Sequence, residues 1–242
     1  MNVIKNIKLF GDSILKGIQI NPANNRYRVD NHIDVDAISQ KYSLSIENHS
    51  KFGCTISKGI QIIQERLKLG ELCDTVVMDF GGNDCDFDWR AISERPFDEH
   101  KPNTPLDQFI ESYHRVIDML KENGIRPILT TLPPLAPQKF FNWFCRGLNK
   151  ENVMKWLGEV NAIYRFQEKY SRAAEAIARI ANVPVIDLRG VFLRDRHLEP
   201  LLCEDGTHPN TQGQRAMTSA FFEFADEIRA ALASAKQKNC FA

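Results

Sequence analysis

The sequence predicts an α/β protein built on a doubly wound parallel sheet of five strands in the order 2-1-3-4-5. Two observations lead there. Five β-prone runs alternate with helix-patterned segments along the 242 residues, the succession that gives parallel strands and helical crossovers. No linker, internal repeat or low-complexity tract divides the chain. One domain over residues 1–242, with an aromatic-rich insertion at about 133–160, is therefore expected.

The first strand is the run Ile7-Lys8-Leu9-Phe10, which ends in Gly11-Asp12-Ser13 and passes into Ile14, Leu15 and Ile18. That spacing suits one face of a helix, so Ser13 is expected where a strand becomes a helix. Open α/β sheets bind ligands at such a carboxyl end, and the N–H groups of a helix start favour negative charge beside it. Asn21 to Asp36 is rich in Asn and Asp with little periodicity and reads as a long surface connection bordering the site. A short helix follows over 35–42, then the alternating strand Leu44 to Asn48, a loop at Lys51-Phe52-Gly53-Cys54-Thr55 and a helix from Ile56 to Leu69.

The third strand, Asp74 to Phe80, is a continuous β-prone run of the kind buried in a parallel sheet, and it ends in Gly81-Gly82-Asn83-Asp84. Cys85 to Pro105 is polar and irregular, apart from Trp89 and Phe97. The helix from about Leu106 to Glu122 has apolar residues at helical spacing and stops at Asn123-Gly124. A fourth strand, Ile125 to Leu132, meets the prolines 133, 134 and 137, which delay the next helix. Phe140, Phe141, Trp143, Phe144 and Trp156 then crowd together, ahead of a helix running to about Ala181. They are candidates either for a pocket wall or lid or for a satellite core under a long loop. Val183 to Leu188 is the fifth strand, and Asp205-Gly206-Thr207-His208-Pro209-Asn210 is a polar turn before the last helix, Thr211 to about Ala235. In the order 2-1-3-4-5 the loops carrying Ser13 and Asn83 meet at the switch point, with the Gly53 loop beside Ser13.

Composition narrows the partners. Lys plus Arg equal Asp plus Glu at 31 each, so there is no electrostatic reason to expect nucleic acid or an acidic membrane, and a small or neutral partner is expected. Residues 1 to 20 lack the pattern of a signal peptide and no run is apolar enough to span a bilayer, which leads us to expect a cytoplasmic protein without integral membrane contact. Cysteines at 54, 73, 85, 145, 203 and 240 include no CxxC pair and read as reduced thiols. Cys54, Cys85 and Cys203 fall within two residues of candidate site positions but lack metal-ligand spacing, and no metal site is expected.

The chemistry follows from residue type. Acyl transfer by serine needs a base, a group that orients the base, and donors for the oxyanion. His208 suits the base, since its unperturbed pKa lies near neutrality, and Asp205 in the same turn can hold one ring nitrogen while the other faces Ser13. The oxyanion donors would be the Ser13 and Gly53 backbone N–H groups and the Asn83 side-chain amide. Taken singly, Gly-Asp-Ser makes a common turn and helix cap, Gly53 a turn glycine, Asn83 a loop residue and 205–210 a helix entry. Their joint occurrence, each at a strand's carboxyl end, points to catalysis.

In these blocks the chain resembles the SGNH hydrolases, also called the GDSL esterase and lipase family. The matches are Gly11-Asp12-Ser13-Ile14, with isoleucine in place of the usual leucine, Gly53, Gly81-Gly82-Asn83-Asp84 and Asp205-Gly206-Thr207-His208-Pro209. The resemblance implies a flavodoxin-like three-layer α/β/α sandwich that hydrolyses esters through Ser13, His208 and Asp205, with Ser13, Gly53 and Asn83 as the oxyanion hole and neither metal nor organic cofactor. The substrate class it leaves open. Short acyl groups, such as acetyl, on a carbohydrate or small molecule are the expectation. Longer chains, as in a lysophospholipase or thioesterase, are the alternative, and an inactive carbohydrate-binding module is the competitor of another class. Nucleotide binding is set aside because no Gly-rich phosphate loop follows a strand.

Overall fold

The computed structural model describes residues 5–71, 73–194 and 196–239, with side chains to residue 234; Cys240 lies outside them. Five parallel strands, β1 (Asn6–Gly11), β4 (Ser45–Asn48), β5 (Thr75–Asp79), β6 (Arg126–Thr130) and β7 (Val185–Ile186), form a sheet in the order β4-β1-β5-β6-β7. In chain order this is 2-1-3-4-5, as the alternation of strands and helices predicts.

Period-two alternation splits the core between the two faces of the sheet. Phe10, Val76, Met78 and Leu129 pack with α2 (Ile56–Lys68), α4 (Leu106–Glu122) and α7 (Ala162–Ala181). Their neighbours Leu9, Val77 and Ile128 point the other way, onto α1 (Val35–Tyr42), α8 (Leu188–Leu193) and α9 (Thr211–Asn239). Phe109, Tyr113, Val116, Ile117 and Leu120 of α4 are all fully buried, which fits the spacing that marked this helix in the sequence. Among the described residues no helix is long and apolar enough to cross a membrane.

Three segments depart from expectation, and a fourth, the aromatic insertion, takes one of the two forms expected of it. No helix follows Ser13. Residues 13–17 make a single turn, in which Asp12 Oδ1 takes the Ile14 N–H (2.8 Å), Ile18 N–H donates to Ser13 O (3.0 Å) and Gly17 adopts φ +72°. That positive φ ends the turn and sends the chain into a strand. Leu15 and Ile18 are buried as apolar residues, but in a turn and a strand rather than on a helix face.

Asn21 to Asp36 is likewise no irregular connection. β2 (Ile18–Asn21) and β3 (Arg26–Val29) pair antiparallel, joined by a turn in which Asn25 takes φ +53° and the Asn21 and Asn24 side chains accept from Ala23 and Arg26 N–H. Asparagine supplies the turn chemistry that glycine more often supplies. Within the stretch read as irregular, Asp88 caps a short helix, α3 (Trp89–Glu94), by accepting from Ala91 N–H. Finally, the aromatic insertion folds as α5 (Pro137–Phe144) and α6 (Lys150–Leu157), and the chain breaks at Gly158 (φ +73°) before α7. Phe141, Cys145, Val153 and Leu157 are buried with Trp89 and Ile92 in a third cluster, against which Phe144 and Trp156 pack. The insertion thus carries a satellite core of its own.

Candidate active site

Ser13 lies just past the carboxyl end of β1 and is buried. His208 comes from the far end of the chain, in the turn between the 3₁₀ turn at Glu199–Leu201 and α9. Asp205 organises that turn, since its Oδ1 accepts from the backbone N–H groups of Thr207 and His208, both at 3.1 Å. A pair of backbone bonds, Cys203 N–H to His208 O (2.8 Å) and Asn210 N–H to Leu201 O (3.0 Å), clamps its base. Thus held, Asp205 Oδ2 stands 2.5 Å from His208 Nδ1, and His208 Nε2 stands 2.8 Å from Ser13 Oγ. A carboxylate at Nδ1 fixes the proton there and leaves Nε2 to accept from the serine. Burial pushes the Asp205 carboxyl up, but its bond to His208, the histidine's charge and the two backbone donors outweigh this and hold it below the usual carboxylate value.

Gly53 and Asn83 arrive from the two strands flanking β1, in the loops after β4 and β5. Gly53 has φ +66°, and a Cβ there would meet nothing within 4 Å. Glycine serves the backbone conformation here, and it keeps the space above the loop open. The backbone N–H groups of Ser13 and Gly53 are given no acceptor among the described residues. The Asn83 amide is aimed by Asp12, whose Oδ2 accepts from Nδ2 at 2.8 Å; its other contact, to Cys54 O, is long at 3.4 Å. An oxyanion at hydrogen-bond distance would take that second N–H from so weak a partner.

Behind these donors lies a group of buried carboxyls. Burial, then the charge of Asp79, pushes Asp12 well above the ordinary value, while burial brings Asp79, Asp84 and Asp86 each to about 6. Asp84 has a structural task, accepting from the Ile56 N–H at the start of α2 (3.0 Å). Burial likewise raises Cys54 to about 11 and lifts Cys85 and Cys203, so these thiols stay protonated at neutral pH. Among the described residues only Glu47, His49 and Glu71 are spaced to hold a metal ion, and Lys8 Nζ already stands 3.5 and 3.0 Å from the two carboxylates.

A cavity of about 230 Å³ opens beside Ser13 and His208, walled by Phe87, Trp89, Leu135, Phe140, Ile163 and Phe166. Of the five aromatics expected at the pocket, Phe140 alone lines it; Phe141, Phe144 and Trp156 belong to the satellite core instead. Trp143 is not among the lining residues; it lies beneath the Arg146 guanidinium (3.8 Å from the ring centre) and 6.0 Å from Tyr27.

Two wall residues escaped the sequence reading. Tyr27 projects from β3 with its ring 5.1 Å from that of His208, and Phe52 lies parallel to the imidazole at 6.2 Å. Together they roof the histidine, which is only 6% exposed, although they are themselves half exposed. Burial, followed by the Asp205 carboxylate, raises the Tyr27 hydroxyl above its ordinary value. The alternation Arg26-Tyr27-Arg28-Val29 after an Asn-rich turn is the signal that could have revealed the hairpin. Nothing local places Tyr27 over His208.

The model of the GDSL-like Lipase/Acylhydrolase family matches residues 9–216. A lipase/acylhydrolase from Enterococcus faecalis superposes with a TM-score of 0.63 at 19% identity, covering 90% of this chain and 93% of its own. LAE5, an alpha/beta hydrolase enzyme from the Lake Arreo metagenome, gives 0.64 at 18% identity, with 91% and 94% covered. A catalytic mutant of Axe2, an acetylxylan esterase from Geobacillus stearothermophilus, gives 0.62 at 18% identity, with 93% and 96% covered. At such identities these structures establish the fold. No curated protein matches the chain.

Proposed function

The chain belongs to the GDSL-like lipase/acylhydrolase family and is a hydrolase, and on that premise we infer that it cleaves short acyl esters with Ser13 as nucleophile, His208 as base and Asp205 as the group that orients the base. The observation that carries this reading is the unbroken chain from Asp205 Oδ2 to His208 Nδ1 (2.5 Å) and from His208 Nε2 to Ser13 Oγ (2.8 Å). Nucleophile, base and orienter already stand at reacting distances, and a binding module has no use for all three.

In the reaction, Ser13 Oγ attacks the ester carbonyl as its proton passes to His208 Nε2, and the imidazolium is stabilised by Asp205. Ser13 N–H, Gly53 N–H and the Asn83 amide receive the oxyanion. His208 then protonates the leaving alcohol, and water repeats the sequence on the acyl-enzyme. Asp12 takes no part in proton transfer; it holds the Asn83 amide in place, and preorganised donors cost no reorganisation as charge develops.

Cavity size supports a short acyl group. About 230 Å³ falls below the roughly 300–1,000 Å³ of pockets that enclose drug-sized ligands, so a long lipid chain has little room. The acetylxylan esterase among the structural neighbours fits an acetylated sugar or comparable small alcohol as substrate. The test is hydrolysis of p-nitrophenyl esters from acetate to decanoate by the wild type and by Ser13→Ala. Loss of about a thousandfold or more in the variant, with acetate to butyrate preferred in the wild type, is the expected result. Equal activity in both proteins would remove Ser13 from the mechanism, and a preference for decanoate would overturn the short-chain assignment.

A further inference from the structure

One buried carboxylate at the site is used by nothing in this mechanism. Asp79 closes β5, is 2% exposed and lines the cavity. Its Oδ1 accepts from Thr130 Oγ1 at 2.6 Å, whereas its Oδ2, equally enclosed, meets no hydrogen-bond donor among the described residues. A buried carboxylate oxygen without a donor is costly, so Asp79, a residue that lines the cavity, is suited to turn that oxygen toward a donor that the cavity admits.

A second polar group lines the same wall. Gln167 is 5% exposed; its Oε1 accepts from Arg189 Nη1 (3.3 Å) and its Nε2 donates to Pro133 O (2.9 Å). A guanidinium only donates and a carbonyl only accepts, so the amide cannot be reversed. Nε2 has two N–H groups, of which Pro133 uses one. The wall thus offers an acceptor at Asp79 and a donor at Gln167, between apolar surfaces such as Leu132 and Phe166.

The chemistry of the serine divides the space. The leaving oxygen must face His208, which protonates it, so the alcohol lies under Tyr27 and Phe52 while the acyl group occupies the cavity beyond Asn83. Resting on the reading of Ser13 as nucleophile, we propose that this cavity is an acyl subsite selective for a short chain bearing a hydroxyl group, which donates to Asp79 Oδ2. A hydroxyl both donates and accepts, answering Asp79 and Gln167 alike. A plain alkyl chain leaves Asp79 Oδ2 desolvated and unpaired, and a carboxylate on the chain would be repelled by the Asp79 carboxylate.

The experiment compares p-nitrophenyl butyrate with its 2-hydroxy and 3-hydroxy counterparts, as ratios of kcat/KM within one protein, for the wild type and Asp79→Asn. The asparagine retains an acceptor for Thr130 but turns a donor toward the cavity. We expect the wild type to favour one of the hydroxyacyl esters by about tenfold or more, and the variant to lower that ratio to about twofold or less. Wild-type ratios near one for both hydroxyacyl esters, alongside ready hydrolysis of butyrate, overturn the hydroxyl subsite and leave the esterase reading standing. A wild type inactive on every ester overturns both. Because the wild-type ratio alone decides against the subsite, the test survives a variant that fails to fold.

Discussion

Asn83 shows how one side chain's chemistry is set by its neighbours. The amide is an uncharged donor held by Asp12 at 2.8 Å, and its remaining N–H is engaged only by a 3.4 Å contact that a developing oxyanion can replace. On the proposed reading of Asn83 as an oxyanion donor, replacing it removes a contact worth roughly 3–4 kcal/mol in the transition state but little in the ground state. Asn83→Ala should therefore lower kcat about 10²–10³-fold with a much smaller change in KM, read from initial rates on p-nitrophenyl acetate. A change confined to KM would assign Asn83 to substrate binding instead. At this scale the candidate residues could be read from the chain, because Gly-Asp-Ser, Gly53, Gly-Gly-Asn-Asp and Asp-Gly-Thr-His each combine a turn signal with a reactive or donor group at a strand end. Tyr27 and Phe52 could not. An exposed aromatic in a loop or hairpin carries no mark of the ring that it will cover.

Among the elements, the β2–β3 hairpin most changes the site, and its existence turns on one residue. Gly17 adopts φ +72°, and a Cβ there would lie 2.5 Å from the Asn31 Cβ. Gly17→Ala meets both a strained backbone and a clash, and should cost about 2 kcal/mol or more. Thermal unfolding should then begin about 4–8 °C lower, and activity should fall as Tyr27 leaves His208. An unchanged Tm would show that the turn accepts alanine. The helix expected after Ser13 failed for the same reason. Apolar spacing over residues 14, 15 and 18 is common to one helical turn and to a turn followed by a strand, and only the αL glycine separates them. Helices α2 and α4 match their expected spans closely because each has a long apolar stripe, whereas the short α1 is bounded by its caps, Asp34 at its start and Ser43 in the left-handed region at its end. The aromatic insertion shows the reverse case, since residue type announces burial but not which of two cores receives it.

Across the whole molecule, the parallel sheet gathers carboxyls at its carboxyl edge and shields them from water. Asp79, Asp84 and Asp86 keep their protons to about pH 6 in the folded chain, because burial disfavours the charge, but lose them near pH 3.8 when unfolded. Between these values the folded state binds more protons, so its stability falls as pH rises through this window and returns on acidification. Each group contributes about 1.4 kcal/mol per pH unit while the two states differ by a full proton. Asp205 has the opposite sign: its depressed value gives stability above the ordinary carboxylate range that is lost as pH falls through its folded value, well below pH 5. The Tm at pH 5 should therefore exceed that at pH 7.5 by several degrees, and Asp79→Asn should reduce the difference. A Tm that is lower at pH 5 would mean that these carboxyls are ionised in the folded protein.

The sequence by itself determined the architecture and the order of the sheet, because alternating strands and helices with apolar runs of the right length have few ways to bury their faces without left-handed crossovers. It also marked the residues that the switch point would gather, since their signals are local. Only the tertiary structure decided what surrounds them. The meeting of Ser13 with a histidine 195 positions away at 2.8 Å, the roof of Tyr27 and Phe52, and the unpaired oxygen of Asp79 all depend on contacts between distant segments. Such contacts are set by packing in three dimensions, which no periodicity along the chain records.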